Sequence, residues 1–510
     1  MPPGAGALAG PRDRPEGDVM READAALGRR TAAGLGWSML GAGAGKLLAL
    51  ASMAVLARLL APADFGLFAF ALVYLAYLET IADLGTGAAL IYWPDRTRDV
   101  AQITFVLNLL TGVAWFLLTW GLAPAVAAFF HSPGGTPILR VLGATFILRA
   151  LGNTHDALCK KDLRFKARLI PEIGLAAVKA ALTIALALAG LGVWSLVWGH
   201  LAALGARAAL LWLVVSWRPA WRWPSDLLRP IRRYGGWIMV VNVIAVVVHH
   251  VDYVVIGRML GMSTLGFYQM AYKVPETVVI LLVWQASMVL FPAFSRVWAS
   301  GRSLGDAYVT ALRYFALLAL PAAVGLVFLA EPLVLALFGE SWRPSIPILR
   351  AVAVYTGFRA LGTHAGDVVK AQGRPKLLAA LAALKALLLV PAQVVAARWG
   401  GATAVAAATA TVAGATLLLD FALVRRISGV PVRAILSAVA TSLPPVAALA
   451  LVLIAWTHAA AGAGSLLVLG GGVALGIGAY AAAVRVLSPG AYHHAVSTLW
   501  PRPAAGVVLS

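Results

Sequence analysis

The sequence predicts an all-α integral membrane protein with about 14 transmembrane helices: two pseudo-symmetric six-helix lobes plus two further C-terminal helices. Three observations carry this. The 510 residues are 61% hydrophobic and only 12% charged, with a mean hydropathy of +0.85, whereas a soluble domain carries roughly 25% charged residues. A window of roughly 19 residues finds apolar spans along almost the whole chain. Stretches of the first half also recur, in order, in the second.

Residues 1–30 are polar, rich in Pro, Gly, Arg and Asp, and lack the apolar core of a signal peptide. They read as a disordered cytoplasmic tail. The N-terminal lobe, 31–216, takes spans near 33–57, 66–91, 101–124, 137–158, 169–191 and 193–215. A basic cytoplasmic linker, 217–234, leads into the C-terminal lobe, 235–425, with spans near 235–257, 267–291, 308–330, 346–369, 377–397 and 402–423. Spans near 434–456 and 463–486 make up the added pair within 434–487, and 488–510 form a second cytoplasmic tail.

The net charge is +20, from 41 Lys and Arg against 21 Asp and Glu. In a soluble chain such an excess points to nucleic acid. Here the basic residues crowd into alternate short loops, such as Lys160–Arg168, Arg218–Arg233 and Lys370–Lys376. The opposite loops hold Arg58, Arg140, Arg258, Arg343, Arg350 and Arg398. That asymmetry is the positive-inside pattern; it places both termini in the cytoplasm and makes a nucleic-acid partner the weaker reading. The single cysteine, Cys159, excludes an internal disulfide and suggests no thiolate metal site.

The repeat is carried by "LARLLAPADFGLFAFA" from Leu56 and "IGRMLGMSTLGFYQMA" from Ile256, which match Arg58 to Arg258, Gly66 to Gly266 and Ala71 to Ala271. A second match aligns "PILRVLGATFILRALG" from Pro137 with "PILRAVAVYTGFRALG" from Pro347, and so Arg149 with Arg359. An even-numbered helical unit returns to its starting side, so both copies share one topology about an axis along the membrane normal. The Arg58–Gly66 and Arg258–Gly266 stretches are expected as outer hairpins and part of an outer gate. There Arg58 and Arg258 snorkel or cap the carbonyls of their own helices, and Pro62 with Asp64 starts the second helix.

Charges inside spans are costly and usually face a bundle interior or a watery cavity. Arg149 lies roughly 13 Å deeper than Arg140 at about 1.5 Å per residue, near the bilayer midplane, and Arg359 repeats that depth. Lys179, Lys385, Lys46 and Lys273 also fall within spans. In repeat register Lys385 corresponds to Leu175, one turn before Lys179, so the two lysines are expected on one face. A cavity lined by these six side chains attracts an anion, and the planar fork of Arg suits phosphate. The competing role for each is pairing with a buried carboxylate. Glu79 and Asp83, four apart on one helical face, are candidates for coupling to a proton or cation, or for such pairing. His249 and His250 point to different helix faces and imply no metal. Signatures such as GxSxG, HExxH or a P-loop are absent, so neither an enzyme, a cofactor nor ATP hydrolysis is expected.

Four segments resemble the Wzx-type polysaccharide flippases of the multidrug/oligosaccharidyl-lipid/polysaccharide exporter superfamily. They are "LARLLAPADFGLFAFAL" at Leu56, "DLGTGAALI" at Asp83, "YGGWIMVVNVIAVVVHHVDYVVIGRMLG" at Tyr234 and "VLFPAFSRV" at Val289. The likeness spans residues 30 to 425 and departs from the family pattern at Tyr92, where a glutamine is usual. It implies two MATE-like lobes around a central cationic cavity in the bacterial inner membrane. It further implies alternating access that carries an undecaprenyl-pyrophosphate-linked oligosaccharide to the outer leaflet for exopolysaccharide or lipopolysaccharide synthesis. The implied partners are that substrate, membrane lipids, a polysaccharide polymerase and a chain-length regulator. A multidrug or cation exporter of the same superfamily is the alternative, discriminated by the sign of the cavity charge. A membrane-embedded polymerase or transferase is another, disfavoured by the short loops.

Overall fold

Apolar runs fold as helices throughout the described residues, because in lipid a helix satisfies each backbone donor and acceptor within its own segment. The computed structural model describes residues 43–82 except 44 and 47, 90, 96–220 except 163, 249–280, 290, 293–301 and 303–489. Asp83, most of the basic linker and nearly all of both tails lie outside them.

The first half runs α1 (Leu48–Leu59), α2 (Pro62–Ala82), α3 (Thr97–Phe129), α4 (Gly135–Leu142), α5 (Ala144–Lys161), α6 (Phe165–Leu188) and α7 (Val193–Val214). The second runs α8 (249–260), α9 (Met262–Pro275), a π-helical turn (Glu276–Ile280), α10 (293–299), α11 (Leu304–Phe328), α12 (Ala330–Leu337) and α13 (Ser345–Ala371). It closes with α14 (Pro375–Ser428), and α15 (Val432–Ala440), α16 (Leu443–Ala459) and α17 (Ser465–Leu487) follow. Among the described residues nine helices are long and apolar enough to cross a membrane. That tally falls short of about 14, partly because expected spans such as 235–257 extend beyond the described residues. It is also short because the expected spans 377–397 and 402–423 lie in the one helical run α14, where only Gly400 and Gly401 leave helical geometry.

Local signals explain the ends. Pro62 opens α2, where its missing N–H costs nothing, and the Asp64 carboxylate accepts the Ala61 N–H at 3.1 Å. Asp64 is thus the reciprocal arm of the cap, three residues in, rather than the N-cap itself. Gly192 (φ 53, ψ −133) turns α6 into α7, and Gly401 (φ 64, ψ −156) does the same inside α14, both in a region that essentially only glycine visits.

The hairpin α6–α7 and the two arms of α14 carry the same kind of cross-hairpin ion pair with the signs exchanged. Glu172 meets Arg207 at 3.0 Å, and Lys385 meets Asp420 at 2.9 Å. Asp156 of α5 joins the first pair, at 2.7 Å from Arg168, 2.8 Å from Lys160 and 3.3 Å from Arg207.

The largest hydrophobic core lies where the halves meet, with Leu56, Phe65 and Phe68 of the first half against Ile256, Tyr268 and Trp342 of the second. At its centre α2 crosses α9 so closely that a Cβ on Gly66 would stand 1.7 Å from the Met262 carbonyl oxygen. A Cβ on Gly266 would stand 1.9 Å from the Pro62 oxygen. Gly66 and Gly266, expected in the outer hairpins, make this reciprocal approach possible.

Candidate functional site

Two layers of polar side chains bridge the halves. The deeper one gathers five of the six basic residues singled out from the sequence. Arg149 on α5 pairs with Glu79 on α2, Nε to Oε1 at 3.0 Å. Lys273 on α9 pairs with Glu276, 2.9 Å away at the start of the π-helical turn. Lys46, just before α1, interacts with both of them across the interface. Lys179 on α6 interacts with Lys273, cation against cation, and with His200 of α7, which also senses Arg149. Among the described residues no carboxylate pairs with Lys179.

Arg359 on α13 is held differently from Arg149. Its Nη2 lies 2.7 Å from His249 Nε2, and its Nη1 donates to the hydroxyls of Tyr355 at 3.4 Å and Tyr272 at 3.5 Å. Glu276 and Asp252 are its nearby acids, but neither is in ion-pair contact with it. Asp252 is buried and instead accepts from the Tyr268 hydroxyl at 2.6 Å and the Tyr253 N–H at 2.9 Å. Among the described residues these five basic side chains are accompanied by three carboxyl groups, Glu79, Glu276 and Asp252, which leaves an excess of basic groups in the cluster.

Lys385 is not brought into this cluster. It spans α14 to Asp420, whose carboxylate in turn packs where a Cβ on Gly362 of α13 would sit. By the ion pairs, Lys385 matches Glu172, and Lys179 lies two turns further along, about 10 Å. The two lysines therefore differ in level along their helices rather than in face. Glu79, a candidate for ion coupling, is the counter-ion of Arg149, and Asp83 lies outside the described residues. Among the described residues no group of three or more metal-ligating side chains occurs.

The second layer closes the end of the bundle that carries the Arg58 and Arg258 turns. Arg58 was expected to snorkel or cap its own helix. It crosses to the other half and donates from Nη2 to the Ala336 carbonyl at 2.6 Å and from Nε to the Leu337 carbonyl at 3.4 Å. These carbonyls end α12, where a cation also meets the negative end of the helix dipole. Arg258 makes the mirrored reach, to the imidazole of His131 just past the end of α3 (Nη1 to Nε2 2.8 Å), with its guanidinium 5.3 Å over the Phe129 ring. Buried Trp342 adds a third bridge, Nε1 to the Ala57 carbonyl at 2.7 Å, and stands edge-on to Phe65. On the exposed rim Arg343 bonds Glu331 and Glu340 and holds the Glu340 carboxyl below the usual carboxylate range, which braces the turn carrying Trp342.

The two helix ends that receive the arginines differ in their backbone. Past α12, Gly339 stands at φ 94, ψ 177, a region that essentially only glycine visits; past α3, His131 has φ 50, where side chains other than glycine are uncommon.

His131, Trp342, His249, Tyr272, Tyr355 and Glu276 were not identified as site residues from the sequence. The first had a signal available: "FFH" at Phe129 and "LFG" at Leu337 end equivalent helices, and the histidine replaces the expected glycine.

Comparison with known proteins agrees with this architecture. Residues 55–347 match the model of a family described as polysaccharide biosynthesis proteins. The chain is 26% identical over 385 residues to the lipopolysaccharide biosynthesis protein WzxC of Escherichia coli (strain K12), covering 74% of this chain and 77% of that one. It is 25% identical over 304 residues to the teichuronic acid biosynthesis protein TuaB of Bacillus subtilis (strain 168), covering 59% of this chain and 63% of that one. In fold it is similar to the lipid II flippase MurJ in an inward closed conformation, with a TM-score of 0.74 at 13% identity over 90% of this chain and 99% of that one. An inward-facing multidrug resistance MATE family transporter gives 0.64 at 16% identity, over 76% and 94%. Arg58, Arg258, Gly66, Gly266 and three of the five clustered basic residues, Arg149, Lys179 and Lys273, fall within the matched segment, and the chain belongs to the family of polysaccharide biosynthesis proteins.

Proposed function

We propose that this protein is a flippase for a lipid-linked oligosaccharide, with undecaprenyl pyrophosphate as the lipid carrier, in the inner membrane of a bacterium. The observation that carries the reading is Lys179: a lysine within the membrane, facing Lys273 of the other half, with no described carboxylate to neutralise it. Two cations held together in a low-dielectric site favour a bound anion strongly, and a pyrophosphate supplies two or more negative charges in one small group. Arg359 strengthens the case, because His249, Tyr272 and Tyr355 orient its guanidinium without cancelling its charge. The excess of positive charge argues against a cation exporter.

The two six-helix lobes, 31–216 and 235–425, rock against each other, and the α2–α9 crossing is a contact of the closed state that parts when the outer end opens. The reciprocal approach of Gly66 and Gly266 and the mirrored reaches of Arg58 and Arg258 are what a two-fold axis between lobes produces. The closed end faces the outer side, both termini lie in the cytoplasm, and the pyrophosphate enters between the lobes while the prenyl chain stays in lipid. The protein performs no covalent chemistry; it works beside a polysaccharide polymerase and a chain-length regulator. The test is leaflet exchange of a labelled polyprenyl-pyrophosphate oligosaccharide in proteoliposomes. Arg149→Ala with Arg359→Ala abolishes exchange in protein that still folds; full activity in that double variant overturns the assignment.

A further inference from the structure

We infer that the phosphates of the carrier are seated on one half only, by Lys179 and His200 of the α6–α7 hairpin, with His200 donating a ring N–H beside the charge of Lys179. The inference rests on the reading above that the cargo is a pyrophosphate lipid. It adds which half holds that group, and a residue that reading does not use. Its basis is a difference between two matching hairpins.

The hairpins can be matched at a close contact between their arms. In the second, Gln393 on the first arm of α14 donates to Thr409 on the other arm, Nε2 to Oγ1 at 2.9 Å, and both side chains are buried. In the first, Thr183 on α6 meets Gly199 on α7, its hydroxyl filling the space that a side chain on Gly199 would need. Thr183 and Gln393, like Gly199 and Thr409, are 210 residues apart, as are Pro137 and Pro347 of the repeat. The longer ion-paired side chains slant about one turn off this level.

At that spacing the two hairpins differ in chemistry. Lys179 stands where the second has the buried Leu389, and His200 where it has the buried Ala410. The second hairpin bonds its polar pair internally. In the first, glycine at 199 leaves the buried Thr183 hydroxyl without a hydrogen-bond partner among the described residues, and the buried His200 Nε2 is without one as well. The His200 ring stands edge-on to Phe68 of α2, 5.9 Å between centroids, and interacts with Lys179 and Arg149, both of its own half.

A buried ring nitrogen with no partner is costly, and a bound ligand is one way a fold offsets that cost. Whether neutral or protonated, the imidazole can offer an N–H at Nε2. Lys179 supplies a point charge and His200 a directed donor, and together they suit neighbouring phosphate oxygens. Lys273 and Arg359 belong to the other half and add their field only while the halves are together. The cargo therefore stays with the first half as the lobes part.

Binding of polyprenyl pyrophosphate, polyprenyl phosphate and polyprenol to the full chain in nanodiscs tests the seat. His200→Met and His200→Gln are of like length, and only Gln keeps an N–H. Met is expected to weaken pyrophosphate binding roughly 10-fold or more, the scale of a hydrogen bond to a charged group, and to leave polyprenol binding unchanged; Gln keeps most of the affinity. Gln393→Met, at the matching level of the second hairpin, changes none of the three constants. In the wild type, the Nε2 signal of His200 in nitrogen NMR shifts on adding the pyrophosphate lipid and not on adding polyprenol. An unmoved signal overturns the seat even if neither His200 variant folds. So does equal binding by the Met and Gln variants, a loss that falls on polyprenol as well, or a loss in Gln393→Met equal to that in His200→Met. In those cases a wild-type preference for pyrophosphate over polyprenol leaves the flippase reading standing. A wild type that binds polyprenol as tightly as the pyrophosphate overturns both.

Discussion

Replacing Gly66 with alanine tests the crossing on which the closed outer end depends. The added Cβ would lie 1.7 Å from the Met262 carbonyl oxygen, where ordinary contact begins at 3.4 Å. The obstacle is backbone, so no side chain can swing aside, and the helices α2 and α9 must separate by about 1.5 Å. That displacement exceeds what packed helices absorb by small rotamer shifts, and overpacking of this kind costs about 1–3 kcal/mol. The penalty falls on the closed arrangement and vanishes once the outer ends part, so it shifts the ratio of closed to open molecules by roughly 5- to 150-fold. Gly266→Ala meets the Pro62 oxygen at 1.9 Å and acts in the same direction. Hydrogen exchange of the full chain in nanodiscs reads the change. Amides around Ala57 and Trp342, joined across the interface in the closed form, lose protection, while the α6–α7 hairpin is unchanged. Unaltered exchange around Trp342 together with normal leaflet transport would refute the reasoning.

Three further outcomes follow from individual side chains. Arg359→Ala lowers substrate affinity by roughly one to two orders of magnitude in a binding titration, the scale of a lost charge-assisted hydrogen bond, and Arg359→Lys restores little because the fork is gone. Lys179→Met raises the thermal midpoint, since it removes an uncompensated charge from the membrane interior, yet weakens binding of the pyrophosphate carrier; a lower midpoint would mean that Lys179 has a counter-ion after all. Lys385→Ala leaves the buried Asp420 carboxylate alone and destabilises the fold by about 3–5 kcal/mol, whereas the double change Lys385→Met, Asp420→Leu recovers most of that loss, as read by thermal unfolding.

The helices were legible because lipid imposes a long apolar run on each, and because Gly192 and the Gly400–Gly401 pair punctuate the hairpins. The repeat exposed Arg58, Gly66 and Arg149 together with their counterparts, since each side chain is rare in an apolar chain and recurs in order. Partners were not legible in the same way. Whether Arg149 meets Glu79, and whether Arg359 meets a carboxylate or His249, depends on how each helix is rotated about its axis, and a few tens of degrees decide it. The misplacement of Lys385 is one of level rather than face: at its level along α14, Asp420 rather than the central cluster claims the lysine. Arg58 escaped because its acceptors are main-chain carbonyls, which leave no residue signature.

The exchanged signs of Glu172–Arg207 and Lys385–Asp420 bear on how such a duplicated chain assembles and diverges. Two similar apolar hairpins leaving the insertion machinery in succession can trade arms. Pairing α6 with the second arm of α14 would set Glu172 against Asp420, and pairing the first arm with α7 would set Lys385 against Arg207. Each mismatch buries like charges and forfeits a bond. The hairpins are therefore keyed to themselves, and the same key blocks the copying of one arm from one half of the gene into the other. Duplication supplied two copies of one part; the reversed polarity makes them no longer interchangeable.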